Sequence, residues 1–260
     1  MKRLILTGVL ALAAGAAGLM AQNAAPKGPA PKSKAELEAL QALFQAQSNP
    51  DAVIKAADEF IAKFADTDFK ETVLNMEAEA YQQKRDSAKA QVYAEQALKA
   101  NPKSYTASIM LAEVIAQGTR ENDLDKAEKL KQSEQYAKDA ISFVNNAPKP
   151  NPQATDAQWD DYKKSIVARA HNAIGMGALV NKKYDDAAAE FKTAAENDPQ
   201  ATYLVRQASA LQSGGKNDAA IALCDKILAD PQAHPQVKQV AQQIRAAAVK
   251  AGGKAPGGAQ

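Results

Sequence analysis

Small and aromatic residues recur along this chain at a fixed interval of 34 positions: Ala90 follows Ala56, Ala94 follows Phe60, Ala112 follows Ala78, and Ile115 follows Tyr81. A period of that size marks an array of supersecondary units, each too small to cover its own apolar face and each covered by the next. The interior of one interval is helical. In "YDDAAAEFKTAAENDP", residues 184–199, the steps of four and three place Ala187, Phe191 and Ala194 on one face, and Asp198-Pro199 ends the run. Ala, Glu, Lys, Gln and Leu are abundant and no run of alternating β-branched residues occurs, so the sequence predicts an all-α fold.

The two ends read differently from the middle. Residues 1–21 combine Lys2-Arg3, the apolar "LILTGVLALAAGAAGLM" and Ala21 before a cleavage point, the pattern of an export signal. Left uncleaved, the same segment is nearly long enough to serve as an N-terminal membrane anchor. Residues 22–34 are rich in Pro, Ala and Lys and read as a linker, while 252–260 read as a flexible tail. The expected location is therefore periplasmic or extracellular. The formal charge is +2, and removing Lys2 and Arg3 leaves 30 basic against 30 acidic residues, which gives no basic face for nucleic acid. Cys224 is the single cysteine, so no internal disulfide can form, and its place between Ala220 and Ile227 puts it in a helix core.

Capping signals cut the middle into helices. Ser33 with Glu36 and Thr155 with Gln158 have the spacing of capping boxes, and Pro50 and Pro235 stand at the first helical position after Asn49 and His234. Within these helices the residues resemble the tetratricopeptide repeat, whose signature is W-x2-L-G-x2-Y, then A-x3-F, then P. Residues 168–201 match it best, with His171 at the Trp place, Ile174-Gly175 at Leu-Gly, then Ala178, Ala187, Phe191, Ala194 and Pro199. The resemblance implies that Ala56, Phe60, Ala78, Tyr81, Ala90, Ala112, Gly175, Ala187, Phe191, Ala208 and Ala220 pack the repeats together. Glu77 departs from the pattern, standing where Leu is expected.

The expected organisation is a right-handed α-solenoid of about five helix pairs over residues 35–251. Its units run at about 37–70, 71–104, 105–167, 168–201 and 202–234, with a capping helix at 235–251. The third unit carries 29 residues more than one repeat. The excess extends two adjacent helices, predicting a projecting hairpin with a Pro-rich tip. Trp159, the only Trp, lies on it either as a contact for a partner or as glue between the two helices.

Reactive constellations are sparse. The two histidines, His171 and His234, form no zinc motif; there is no Gly-x-Ser-x-Gly elbow and no phosphate loop. "ENDLD" at 121–125 lacks the spacing of a calcium loop. No catalytic residue, metal, cofactor or small-molecule substrate is expected. The resemblance implies instead a concave groove lined by first helices, carried here by Asn75, Glu79, Gln82, Ile109, Glu113, Arg169, Asn172 and Met176. Glu79 and Glu113 stand where a clamp for C-terminal carboxylates would want neutral or basic groups, which favours a segment bearing Lys or Arg, or another protein's helix. The expected function is a non-catalytic protein-binding scaffold of a bacterial envelope. The alternative is a self-associating structural subunit of an envelope assembly.

Overall fold

The computed structural model describes residues 29–150 and 153–254. The export signal, most of the linker and residues 255–260 therefore lie outside the described residues. Eleven α-helices and one short 3-10 turn account for the regular structure among the described residues. They are α1 (Lys34–Gln45), α2 (Pro50–Lys63), α3 (Lys70–Gln83), α4 (Ser87–Ala100), α5 (Tyr105–Gly118) and α6 (Lys126–Asn146). There follow α7 (Asp156–Val180), α8 (Tyr184–Asn197), α9 (Ala201–Ser213), α10 (Asn217–Ala229) and α11 (Pro235–Lys250). Two of them are long, α6 with 21 residues and α7 with 25, as the enlarged third unit requires. No described helix is long and apolar enough to cross a membrane.

The helices belong to two compact units, which are taken in turn. The first comprises the chain up to Ala107 together with Asn146–Trp159. Several of its helix starts, though not that of α3, are fixed by side chains that take up orphan backbone N–H groups. Ser33 Oγ accepts from Glu36 N at 3.1 Å, and Asn49 Oδ1 accepts from Asp51 N and Ala52 N ahead of α2. The Glu36 carboxylate reaches back past Ser33 to Lys32 N (2.6 Å) and also accepts from Thr67 Oγ1 (2.6 Å), so it ties α1 to the loop after α2. At the start of α7 the capping box is reciprocal, Thr155 N donating to Gln158 Oε1 (2.9 Å) and Gln158 N to Thr155 Oγ1 (3.2 Å).

Leu40, Leu43, Val53, Ala57, Phe60, Phe69, Val73 and Ala80 make one core across α1, α2 and α3, with Ala56 packed partly buried beside it. Ala78, Ala90 and Ala94 are fully enclosed where α3 meets α4, and Tyr81 stacks on Tyr93 at 5.2 Å. Within this first unit Trp159 is 6% exposed and packs tilted against Tyr105 with ring centroids 6.3 Å apart. The ring partner of this indole therefore lies on α5, and burial suits its large apolar surface.

The second unit comprises Ser108–Asn145 and the chain from Asp160. Ser133 Oγ donates to Ala112 O at 2.8 Å, joining α6 to α5, and a Cβ on Gly177 would touch Leu130 of α6 at 3.4 Å. Contact between α7 and α8 is closer: a Cβ on Gly175 would lie 2.8 Å from Phe191 Cε1, inside any normal contact. Ala187, Ala188, Phe191 and Ala210 then form a core across α8 and α9. Ala208, Cys224, Ile227 and Ala241 form the next, which α11 closes. Gly252–Lys254, expected to begin the tail, instead pack on α10. Lys254 N donates to Asp218 Oδ1 (2.6 Å), and Gly253 lies so near Asn217 and Ile221 that a Cβ there would clash at 2.6 Å.

Candidate functional site

Sequence reasoning put one run of candidate groove residues on α3 and another on α5 and α7. On α3, within the first unit, Asn75 is buried in a polar node. Its Nδ2 donates to Glu71 Oε1 (3.1 Å) and Ser104 Oγ (3.3 Å), while Glu71 also accepts from Ser104 Oγ (2.5 Å) and Asn101 Nδ2 (3.1 Å). Asn75 thus fastens the loop after α4 onto α3 and is withdrawn from solvent. Glu79 is exposed and Gln82 half-buried on the same helix.

In the second unit Ile109 is 0% exposed, which corrects its expected place in a groove lining: it is core beneath that face. Glu113 is also withdrawn. Its carboxylate is held two-pronged by Arg169, Nε to Oε1 at 2.8 Å and Nη2 to Oε2 at 2.5 Å, across 56 residues of sequence. Such paired N–H···O⁻ bonds satisfy both oxygens at once. The acid that favoured a basic ligand is therefore already neutralised and no longer calls for a basic partner.

Asn172, buried on α7, extends the network. Its Oδ1 accepts from Arg206 of α9, and its Nδ2 points at Met176 Sδ (3.8 Å), which Arg206 Nη1 also approaches at 3.4 Å. Tyr203 is buried next to this pair, and burial pushes its phenol up to about 12. Burial likewise lowers Arg206 below the usual guanidinium range, because desolvation disfavours the charged form. Beyond Arg206 the surface opens into a groove between α9 and α11, lined by Thr202, Val205, Arg206, Gln236, Val237 and Val240.

Tyr203, Arg206 and Val240 were not among the expected site residues, yet the 34-residue step points to them. Arg169 plus 34 is Tyr203; Asn172 plus 34 is Arg206, and 34 more is Val240. Carried on past the fourth unit, the register that selected Arg169 and Asn172 reaches the α9 and α11 residues of this face.

The remaining chemistry is structural. His171, at the repeat's Trp place, bonds Glu190 Oε2 through Nδ1 at 2.7 Å and so links α7 to α8. His234 Nδ1 accepts from Gln236 N and caps α11. Cys224 is fully buried, and burial raises its thiol, the reverse of what a nucleophile needs. In the 121–125 loop, Asp123 and Asp125 share Lys129 at 3.3 and 2.9 Å. Among the described residues no group of three His, Cys, Asp or Glu side chains could hold a metal ion.

Comparison with known proteins gives a consistent picture. A family model described as a tetratricopeptide repeat matches residues 75–140 and 172–236. Among solved structures, a thermophilic TPR protein of Thermus thermophilus is similar at 17% identity, with a TM-score of 0.54, covering 82% of this chain and 99% of its own. The TPR2AB domain of yeast Sti1, in a complex with pHSP90, matches at 14% identity with a TM-score of 0.29 over 83% of this chain and 98% of its own. No curated protein sequence matches.

Proposed function

The chain belongs to the tetratricopeptide repeat family, and from that premise we propose that it is a non-catalytic protein-binding scaffold of the bacterial cell envelope. Proteins of this family are typically scaffolds without catalysis. The observation that carries the reading is the surface made by α7, α9 and α11. It presents Met176, Thr202, Arg206, Gln236 and Val240 on successive first helices, with half-buried or exposed side chains and an open apolar groove. A face of this kind suits an elongated partner better than an enclosed small molecule. The apolar N-terminal segment after Lys2-Arg3 supports export.

The test is purification of the tagged full chain from the envelope of its own cells, beside a Val237→Asp, Val240→Asp variant of equal helicity. The expected result is a mature N-terminus near Gln22 and a stoichiometric partner that the variant loses. Retention of the chain in the cytosol would overturn the envelope assignment. A variant that keeps every partner would overturn the binding face.

A further inference from the structure

We propose that the groove between α9 and α11 receives an internal segment of another protein in which one acidic side chain stands among aliphatic ones, with Arg206 holding the carboxylate. This rests on the reading of the α7–α9–α11 face as a protein-binding surface, and it adds the chemistry of what binds there.

Arg206 is the reason. An arginine carries five N–H donors in a rigid fork. Here Nη1 bonds the Asn172 amide oxygen and meets the Met176 sulfur, while among the described residues no hydrogen bond engages Nε or Nη2 and no carboxylate pairs with the group. The acid next along the face, Glu113, is taken two-pronged by Arg169. Arg206 is thus a partly desolvated cation whose bonded partners are neutral and which feels Glu113 only without a direct contact, a state that costs free energy until a counter-charge arrives. Arg206 is itself part of the groove lining.

The rest of the lining limits what can accompany the carboxylate. Val205, Val237 and Val240 are aliphatic, and Val240 is 41% exposed, one of four large apolar side chains so exposed among the described residues. Val237 and Val240 lie one helical turn apart, about 5–6 Å, close to the spacing of alternate side chains on an extended strand of about 7 Å. Thr202 and Gln236 supply hydroxyl and amide groups able to bond a peptide backbone. A basic segment would meet the Arg206 charge in the lining and be repelled. No aromatic side chain lines the groove for base stacking, which disfavours single-stranded nucleic acid.

The test uses the full chain and nine-residue fluorescent peptides with acetylated N-termini and amidated C-termini. Each Leu/Val-containing peptide with a central Glu is paired with a twin carrying Gln, and binding is read by anisotropy. The expected result is about tenfold tighter binding of Glu peptides than of their twins, the range of a charge-assisted hydrogen bond. Arg206→Met should erase that preference, and Val240→Ser should weaken both members of each pair. Should Arg206→Met prove less helical by circular dichroism, Arg206→Lys replaces it and should keep part of the preference, because the charge stays while the fork is lost.

Equal binding of Glu and Gln peptides, or a preference that survives Arg206→Met, overturns the acidic anchor but leaves the scaffold reading standing. Binding restricted to peptides with a free C-terminal carboxylate overturns the side-chain source. A concentration-dependent oligomer of the chain, abolished by Val240→Ser, gives the groove to a second copy and overturns the proposal. If no peptide binds, the proposal fails; if the Val237→Asp, Val240→Asp variant also keeps every partner, the scaffold reading of this face fails with it.

Discussion

At position 77 a glutamate stands where the repeat pattern wants leucine, and the structure buries it all the same, at 1% exposure. Burial raises its carboxyl to about 7, partly opposed by a hydrogen bond from Tyr93, while Asp58 pushes it further up and Lys89 down. Because the folded value lies above the unfolded one, the buried acid is tolerated best while protonated. Stability from this group is full below about pH 4.5 and is lost as pH rises through about 7. Glu77→Gln, which mimics the neutral form, should therefore leave stability near pH 4.5 little changed and raise it by about 2–3 kcal/mol at pH 8 in urea unfolding. At the α7–α8 contact, Gly175→Ala should cost about 1–3 kcal/mol, because the added methyl would sit 2.8 Å from the Phe191 ring. Gly175 was legible from the repeat signature alone. The Glu113–Arg169 pair was not: the two residues are 56 apart, the enlarged third unit breaks the regular step between them, and a sequence shows charges without showing which are spent on each other.

Helix pairs are joined here by one recurring turn that sequence reasoning did not see. Arg85, Lys182 and Gly215 all take positive φ, at 62°, 57° and 77°. The residue after each donates back into the finished helix: Asp86 N to Tyr81 O, Lys183 N to Ala178 O and Lys216 N to Leu211 O, each at 2.9 Å. Only Gly215 uses the residue suited to that backbone, so the other two were disguised by side chains that seldom adopt it. Arg85→Gly should stabilise by about 0.5–1 kcal/mol, and Gly215→Ala should destabilise by about 1 kcal/mol, both read from urea midpoints. The cap α11 has a clearer signature, Pro235 at its start and Val237, Val240 and Ile244 on one side. It covers Ala208, Cys224 and Ile227. Truncation before Pro235 should make Cys224 react with a thiol reagent at least about 100-fold faster than in the full chain, because opening of the intact core otherwise limits attack.

For the molecule as a whole, the 34-residue period was enough to read an all-helical repeat fold, because small residues recur at its helix contacts and several helix starts carry a capping residue or Pro. The proposed binding face was only half legible. Asn172 and Met176 could be placed by resemblance, whereas Arg206 matters because no carboxylate among the described residues pairs with it directly, a relation that no single repeat encodes. The central claim is that the α7–α9–α11 face meets another protein in the living cell. A photoreactive amino acid at Gln236, and separately at exposed Lys192 of α8, tests it directly by cross-linking in intact cells. A discrete adduct with one other protein is expected from position 236 and none from 192. Adducts of equal yield from both positions, or a 236 adduct containing only this chain, would contradict it.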